Sequence, residues 1–285
     1  MIPLLLGLAL NPISPQEWQA RVAEYDARVA TLEAPSADEH FALGQWAWES
    51  GLEDEAWDQW IAAIAADPRH AESRAAMGFE RGPKKSWRRP GDLNPEWIAS
   101  VREAGRSFSF TVAIQDDADA AFFEHLSWRF KRMSWFLWEL TEGQVFLDEV
   151  TLEDQRPDGR FVIEAGKLET TLLQGGGAFC MNAGQEDWKV ISAGRVYNRI
   201  LVHEFLHGIF GLPDERHGCE CIMQGGLYGI RTDQLALCDV DSHAANTVTP
   251  TACWTLVQKR YPAMKHPNPD DPGQVPKLEI KIVNH

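Results

Sequence analysis

Apolar positions along the first eighty residues recur at helical spacing, and each run is bounded by residues that start or stop helices. Ser14-Pro15-Gln16-Glu17 joins a capping serine, a proline at the first helical position and an acid, predicting a helix to about Leu32 that Pro35 ends. Ser36-Ala37-Asp38-Glu39 repeats the capping box and opens a helix to about Ser50, stopped by Gly51. A third run covers Glu53 to Ala66 before Asp67-Pro68, and a fourth His70 to about Glu80. After a basic, breaker-rich stretch from Arg81 to Gly91 the pattern changes. Phe108 to Ile114 alternates like a half-buried strand, Asp116-Asp117-Ala118-Asp119 caps a helix from about Ala120 to Leu140, and Val145–Leu152 and Arg160–Ala165 read as strands. Gly175-Gly176-Gly177 leads into a short strand before Asn182, and an apolar helical pattern runs from Ala193 to Phe210. Thr249-Pro250 caps a last helix to Tyr261. The Pro- and Asp-rich stretch from His266 to Val275 reads as mobile, before a strand from Leu278 to Val283.

These elements predict an α+β chain: an apolar N-terminal segment (1–12), a helical region (13–80), a linker (81–104), a mixed α/β domain (105–263) and a C-terminal tail (264–285). An apolar fraction of 44% over 285 residues allows a substantial core. The net charge of -15 argues against a nucleic-acid partner, because no basic face is available to neutralise phosphates. Tryptophans recur at helical spacings at Trp46, Trp57 and Trp60 and again at Trp128, Trp135 and Trp138, so most of the 12 read as packing residues. Met1 to Leu10 is too short to span a bilayer and no other transmembrane segment appears. It suits the apolar part of an export signal, so the expected location is extracellular or periplasmic, with cytoplasmic as the alternative.

Candidate chemistry concentrates in Val202-His203-Glu204-Phe205-Leu206-His207-Gly208-Ile209-Phe210-Gly211-Leu212-Pro213-Asp214-Glu215. Residues four apart stack on one helix face, so His203 and His207 can direct two imidazoles at one Zn2+ ion with Glu204 beside them as general base. A catalytic zinc takes a third protein ligand and keeps one position for water. Gly211 suits a left-handed helix end, Pro213 forbids continuation, and the next donors are Asp214, then Glu215 and His217. Asp214 is placed first for its short, fixed reach, with Glu215 and His217 as alternatives.

Five cysteines, Cys180, Cys219, Cys221, Cys238 and Cys253, lie in this half of the chain. An odd count leaves at least one unpaired within a monomer; export would favour one or two disulfides, a cytosolic location free thiols. Cys238 and His243 also invite a second metal reading with Cys219, Cys221 or His217, but no Cys-x-x-Cys pair supports it.

The motif resembles the metzincin zinc peptidases, with glycine and acid each one position late. The shifted form, closing in Gly-x-x-Asp-Glu, is similar to the metallopeptidase domains of the calcium-activated chloride channel regulators and bacterial IgA-protease-like metallopeptidases. That resemblance, over roughly Phe122 to Tyr261, implies zinc on His203, His207 and Asp214, Glu204 as base, a protein or peptide substrate, an edge strand between Gly175 and Asn182 for extended peptide, and an apolar floor from Met223. Asp38 to Pro68 resembles a single tetratricopeptide repeat, which implies a structural cap or a docking surface for a protein partner. A non-catalytic interaction module with a structural zinc is the competing reading.

Overall fold

The computed structural model describes residues 15–81, 86–89, 91–171, 176–215, 221–224, 236–244 and 249–285. The apolar N-terminal segment, Ser14, His217, Cys219 and residues 82–85 and 90 of the breaker-rich stretch lie outside the described residues. The chain forms two compact units that part between Pro90 and Gly91.

The first unit begins with helices α1 (Pro15–Ala30), α2 (Ala37–Glu49) and α3 (Glu53–Ala66). The Ser36 capping box forms, with Ser36 N donating to Glu39 Oε2 at 2.8 Å and Glu39 N to Ser36 Oγ at 3.3 Å. The two helices after it pack closely because Gly44 has no side chain: a Cβ there would stand 2.5 Å from Trp60 Nε1. Gln59 joins the hairpin to α1, contacting His40 Nδ1 at 2.7 Å and donating to the Tyr25 hydroxyl at 2.7 Å. Helix α4 (Ala71–Ala76) is shorter than its pattern predicts, since Gly78 turns at φ +79 and releases the chain into β1 (Glu80–Arg81), antiparallel to β2 (Trp87–Arg88).

The second unit opens with α5 (Pro95–Glu103), a helix inside the stretch expected to be linker. Asn94 caps it, accepting from Trp97 N at 3.1 Å, and Ile98 and Val101 bury its inner face against Trp138 and Phe146. There follow β3 (Ser107–Ile114), α6 (Ala120–Leu140), β4 (Phe146–Glu153), β5 (Phe161–Ile163), β6 (Ala178–Met181), β7 (Lys189–Ser192), α7 (Asn198–Phe210), α8 (Cys253–Arg260) and β8 (Glu279–Val283). The sheet order is β6-β7-β5-β3-β4-β8, and all neighbours run parallel except β6 against β7. The architecture is therefore mixed α and β.

Two expectations are corrected here. The helix expected from Ala193 begins only at Asn198, because Lys189–Ser192 is a strand and Gly194 must pass close to Leu168, whose carbonyl oxygen a Cβ would meet at 2.0 Å. The tail is not loose: Gln144 brackets Lys265, Trp138 Nε1 donates to Gly273 O at 3.1 Å, and Glu279–Val283 adds the sixth strand. No helix among the described residues is long and apolar enough to cross a membrane.

Aromatic packing fixes α7 to the sheet. Phe205 stacks on Phe161 at 5.9 Å, meets Phe108 edge-on at 5.5 Å and takes the Trp188 ring at 5.2 Å. Gly208 makes the Trp188 contact feasible, because a Cβ would come within 2.5 Å of the indole. Residues two apart on a helix point to nearly opposite sides, so burying Phe205 in the sheet turns His203 and His207 towards the loop that follows.

Candidate metal centre

Gly211 ends α7 in the left-handed region at φ +67, ψ 30, with its N–H on His207 O at 2.9 Å. The reversal carries Leu212 back beside the helix, and its carbonyl accepts from His207 Nδ1 at 2.5 Å. His203 Nδ1 donates to Ile222 O at 3.0 Å. A carbonyl oxygen can only accept, so both imidazoles carry hydrogen on Nδ1, and in the neutral rings each Nε2 keeps its lone pair.

Those two nitrogens face each other at 2.9 Å. Asp214 Oδ1 completes a triangle, 3.1 Å from His203 Nε2 and 3.4 Å from His207 Nε2. One proton relieves only one edge of such a triangle of acceptors; a cation relieves all three. The spacing also suits a tetrahedral ion, whose ligands at about 2.0–2.2 Å stand roughly 3.3 Å apart. The histidines are nearly buried, at 9% and 13% side-chain exposure, whereas Asp214 is 45% exposed and gives the centre its open side.

Glu204 joins the same group, its carboxyl within 4.8 Å of the histidine nitrogens. Burial pushes its carboxyl up to about 7, against the pull of His203 and of the Cys180 N–H that binds it. Burial opposes charge on His203, yet Asp214, the Ile222 carbonyl and Glu204 together hold its pKa above the usual value. Burial and the neighbouring His203 lower His207.

Strand β6 ends the sheet, and through Cys180 it touches Glu204. Its loop to β7 docks on the end of α7: Gly184 N donates to His207 O at 3.0 Å, and Gly184 and Gly211 pack backbone to backbone. Buried Arg129 of α6 donates to Val196 O just ahead of α7, anchoring the helix from the other end.

Of the sequence-predicted residues, His203, Glu204, His207 and Asp214 come together. Glu215 does not join them. Its backbone pairs with Gln224 in an isolated bridge, and its side chain, fully buried, turns away to Cys238, Cys253 and His243. His217 lies outside the described residues. Met223 is buried in the turn at 221–224, where its carbonyl accepts from Glu215 N at 2.7 Å. The orienting carbonyls of Leu212 and Ile222 and the amide of Cys180 were not legible, because backbone groups carry no residue signature. No protein-family model, curated protein or solved structure matches the chain.

Proposed function

We propose that the chain is a zinc-dependent endopeptidase of metzincin-like type. The observation that carries this reading is the convergence of His203 Nε2, His207 Nε2 and Asp214 Oδ1 on one spot. His203, His207 and Asp214 would hold the ion, which when bound supplies the Lewis acidity that acidifies water and polarises a carbonyl. Glu204 is the general base: it takes a proton from the attacking water and returns it to the leaving amine. Its neighbour Cys180 supplies the N–H that fixes the carboxylate. Extended substrate adds to the outer edge of β6, beside the exposed Phe179 and Met181, so that the scissile carbonyl lies near Glu204.

The competing reading makes the chain an interaction protein, with α1–α4 docking a partner and zinc only stiffening the fold. A stiffening site has no use for an acid beside its ligands and no need of an exposed carboxyl ligand. The test is cleavage of an unfolded protein by the full chain, followed by mass spectrometry. Cleavage that 1,10-phenanthroline stops and added Zn2+ restores, and that His207→Ala abolishes, supports the peptidase. Metal bound without cleavage of any unfolded substrate supports the interaction protein.

A further inference from the structure

A second cluster of donors lies beside the first and shares no side chain with it. Cys221, Cys238 and Cys253 bring their sulfurs within 4.8 Å of one another, all buried. Cys221 and Cys253 stand 3.7 Å apart, far beyond a disulfide bond of about 2.05 Å. It is the separation of two thiolates on one tetrahedral ion, where Zn–S bonds of about 2.3 Å place sulfurs roughly 3.8 Å apart. His243 adjoins the trio at Cys238, with Nδ1 3.3 Å from Cys238 Sγ. Its Nε2 lies 2.7 Å from Thr249 O, a pure acceptor, so Nε2 carries the hydrogen and Nδ1 presents a lone pair to the sulfur. Glu215 Oε1, 3.6 Å from Cys253 Sγ and 3.7 Å from His243 Nδ1, borders the group.

We infer that Cys221, Cys238, Cys253 and His243 form a closed, structural site for a tetrahedral metal ion of the zinc class. Three thiolates and an imidazole are a complete ligand set, which leaves no position for water or substrate. The four residues come from three separate parts of the second unit: the turn at 221–224, the 236–244 stretch, and the start of α8. A metal there ties together segments that also meet through backbone hydrogen bonds, Ile222 N to Ala236 O at 2.9 Å and Trp254 N to Cys238 O at 3.0 Å. It also acts on the first centre through the backbone. Cys221 precedes Ile222, whose carbonyl orients His203, and Glu215 follows Asp214.

The two centres are separable by spectroscopy, since the first contains no sulfur. Full-length protein loaded with Co2+ is expected to show sulfur-to-cobalt charge-transfer absorption in the near ultraviolet and intense tetrahedral d–d bands. The bands should persist in His207→Ala and in Cys180→Ser, whose thiol lies outside the cluster. They should shift or vanish in His243→Gln and vanish in Cys253→Ser, with the metal content of the purified protein falling by one ion per chain. If those two variants do not fold, the wild-type spectrum and the metal content of the His207→Ala protein still decide the matter. Absence of charge-transfer bands from the metal-loaded wild type, or a Cys221–Cys253 disulfide in native protein mapped by mass spectrometry, would overturn the assignment. Bands abolished by Cys180→Ser but not by Cys253→Ser would overturn it too. None of these outcomes depends on whether the protein cleaves peptides.

Discussion

Asp214 and Glu215 are neighbours in sequence, both acidic, and the fold sends them to opposite fates. Asp214 is 45% exposed beside two imidazoles, while Glu215 is wholly buried beside thiols and a third imidazole. Extended backbone points successive side chains to opposite faces, so one dipeptide serves two clusters. The first cluster is open on one side and has an ionisable neighbour in Glu204; the second is closed and presents soft ligands. Openness with a base suits chemistry, and closure with thiolates suits structure. The comparison teaches that the Asp-Glu dipeptide is a junction, where the reach of the first residue depends on the anchoring of the second.

The largest effect expected from breaking this contrast is at the closed cluster. Structural zinc binding is worth about 10–16 kcal/mol, comparable to the whole stability of a domain at about 5–15 kcal/mol. Cys238→Ser should therefore abolish cooperative thermal unfolding of the second unit by circular dichroism, whereas Asp214→Ala should leave the melting profile nearly intact. Next in size, Asp214→Ala should lower peptide cleavage by about 100-fold or more, the loss of several kcal/mol of transition-state stabilisation. Cleavage assays on the folded variant check this. A melting profile equally damaged in both variants would erase the distinction between the sites.

The link between the sites is tested more gently at Gly211. An alanine held at φ +67 costs about 1–2 kcal/mol, and the relaxed turn displaces both the Leu212 carbonyl and Asp214. Gly211→Ala should lower activity by more than its loss of stability explains, read as a weakened zinc affinity in a chelator titration. The smallest effect concerns pH. Ser242 N–H, the Ser242 hydroxyl and His266 hold the Asp239 carboxyl down to about 2, in the turn that carries His243. A depressed carboxyl stabilises the fold above its ordinary value near ~4 and loses that contribution as pH falls towards 2. Because Asp239 is largely solvated, the contribution is less than about 1 kcal/mol. Asp239→Asn should be slightly less stable than wild type at pH 6 and indistinguishable from it at pH 2, by chemical denaturation.

Much of this architecture was legible wherever the deciding interaction is local. The Ser36 box, the Asp119 cap, the Gly211 stop and the four-residue spacing of His203 and His207 act within a turn or two, and the structure repeats them. Strand β7 is not legible because Val190 and Ile191 sit in a run only four residues long that merges into the apolar helix after it. Helix α5 was hidden by the breakers around it, although Asn94-Pro95 is a cap and first-turn proline. The thiol cluster was the least legible part. Cys221, Cys238 and Cys253 are too far apart for a spacing rule, and only tertiary closure brings them together. The same is true of Glu215, whose destination depends on the bridge to Gln224.

The claim at the centre of this account is that Glu204 works as a base beside a metal held by His203, His207 and Asp214. Peptide cleavage by Glu204→Gln, compared with wild type in samples whose zinc content is measured alongside, tests it most directly. Equal zinc in both proteins is expected, with a fall in the cleavage rate of about 100-fold or more, the range for removing a general base. Equal rates at equal zinc content, whether both active or both inert, would contradict it.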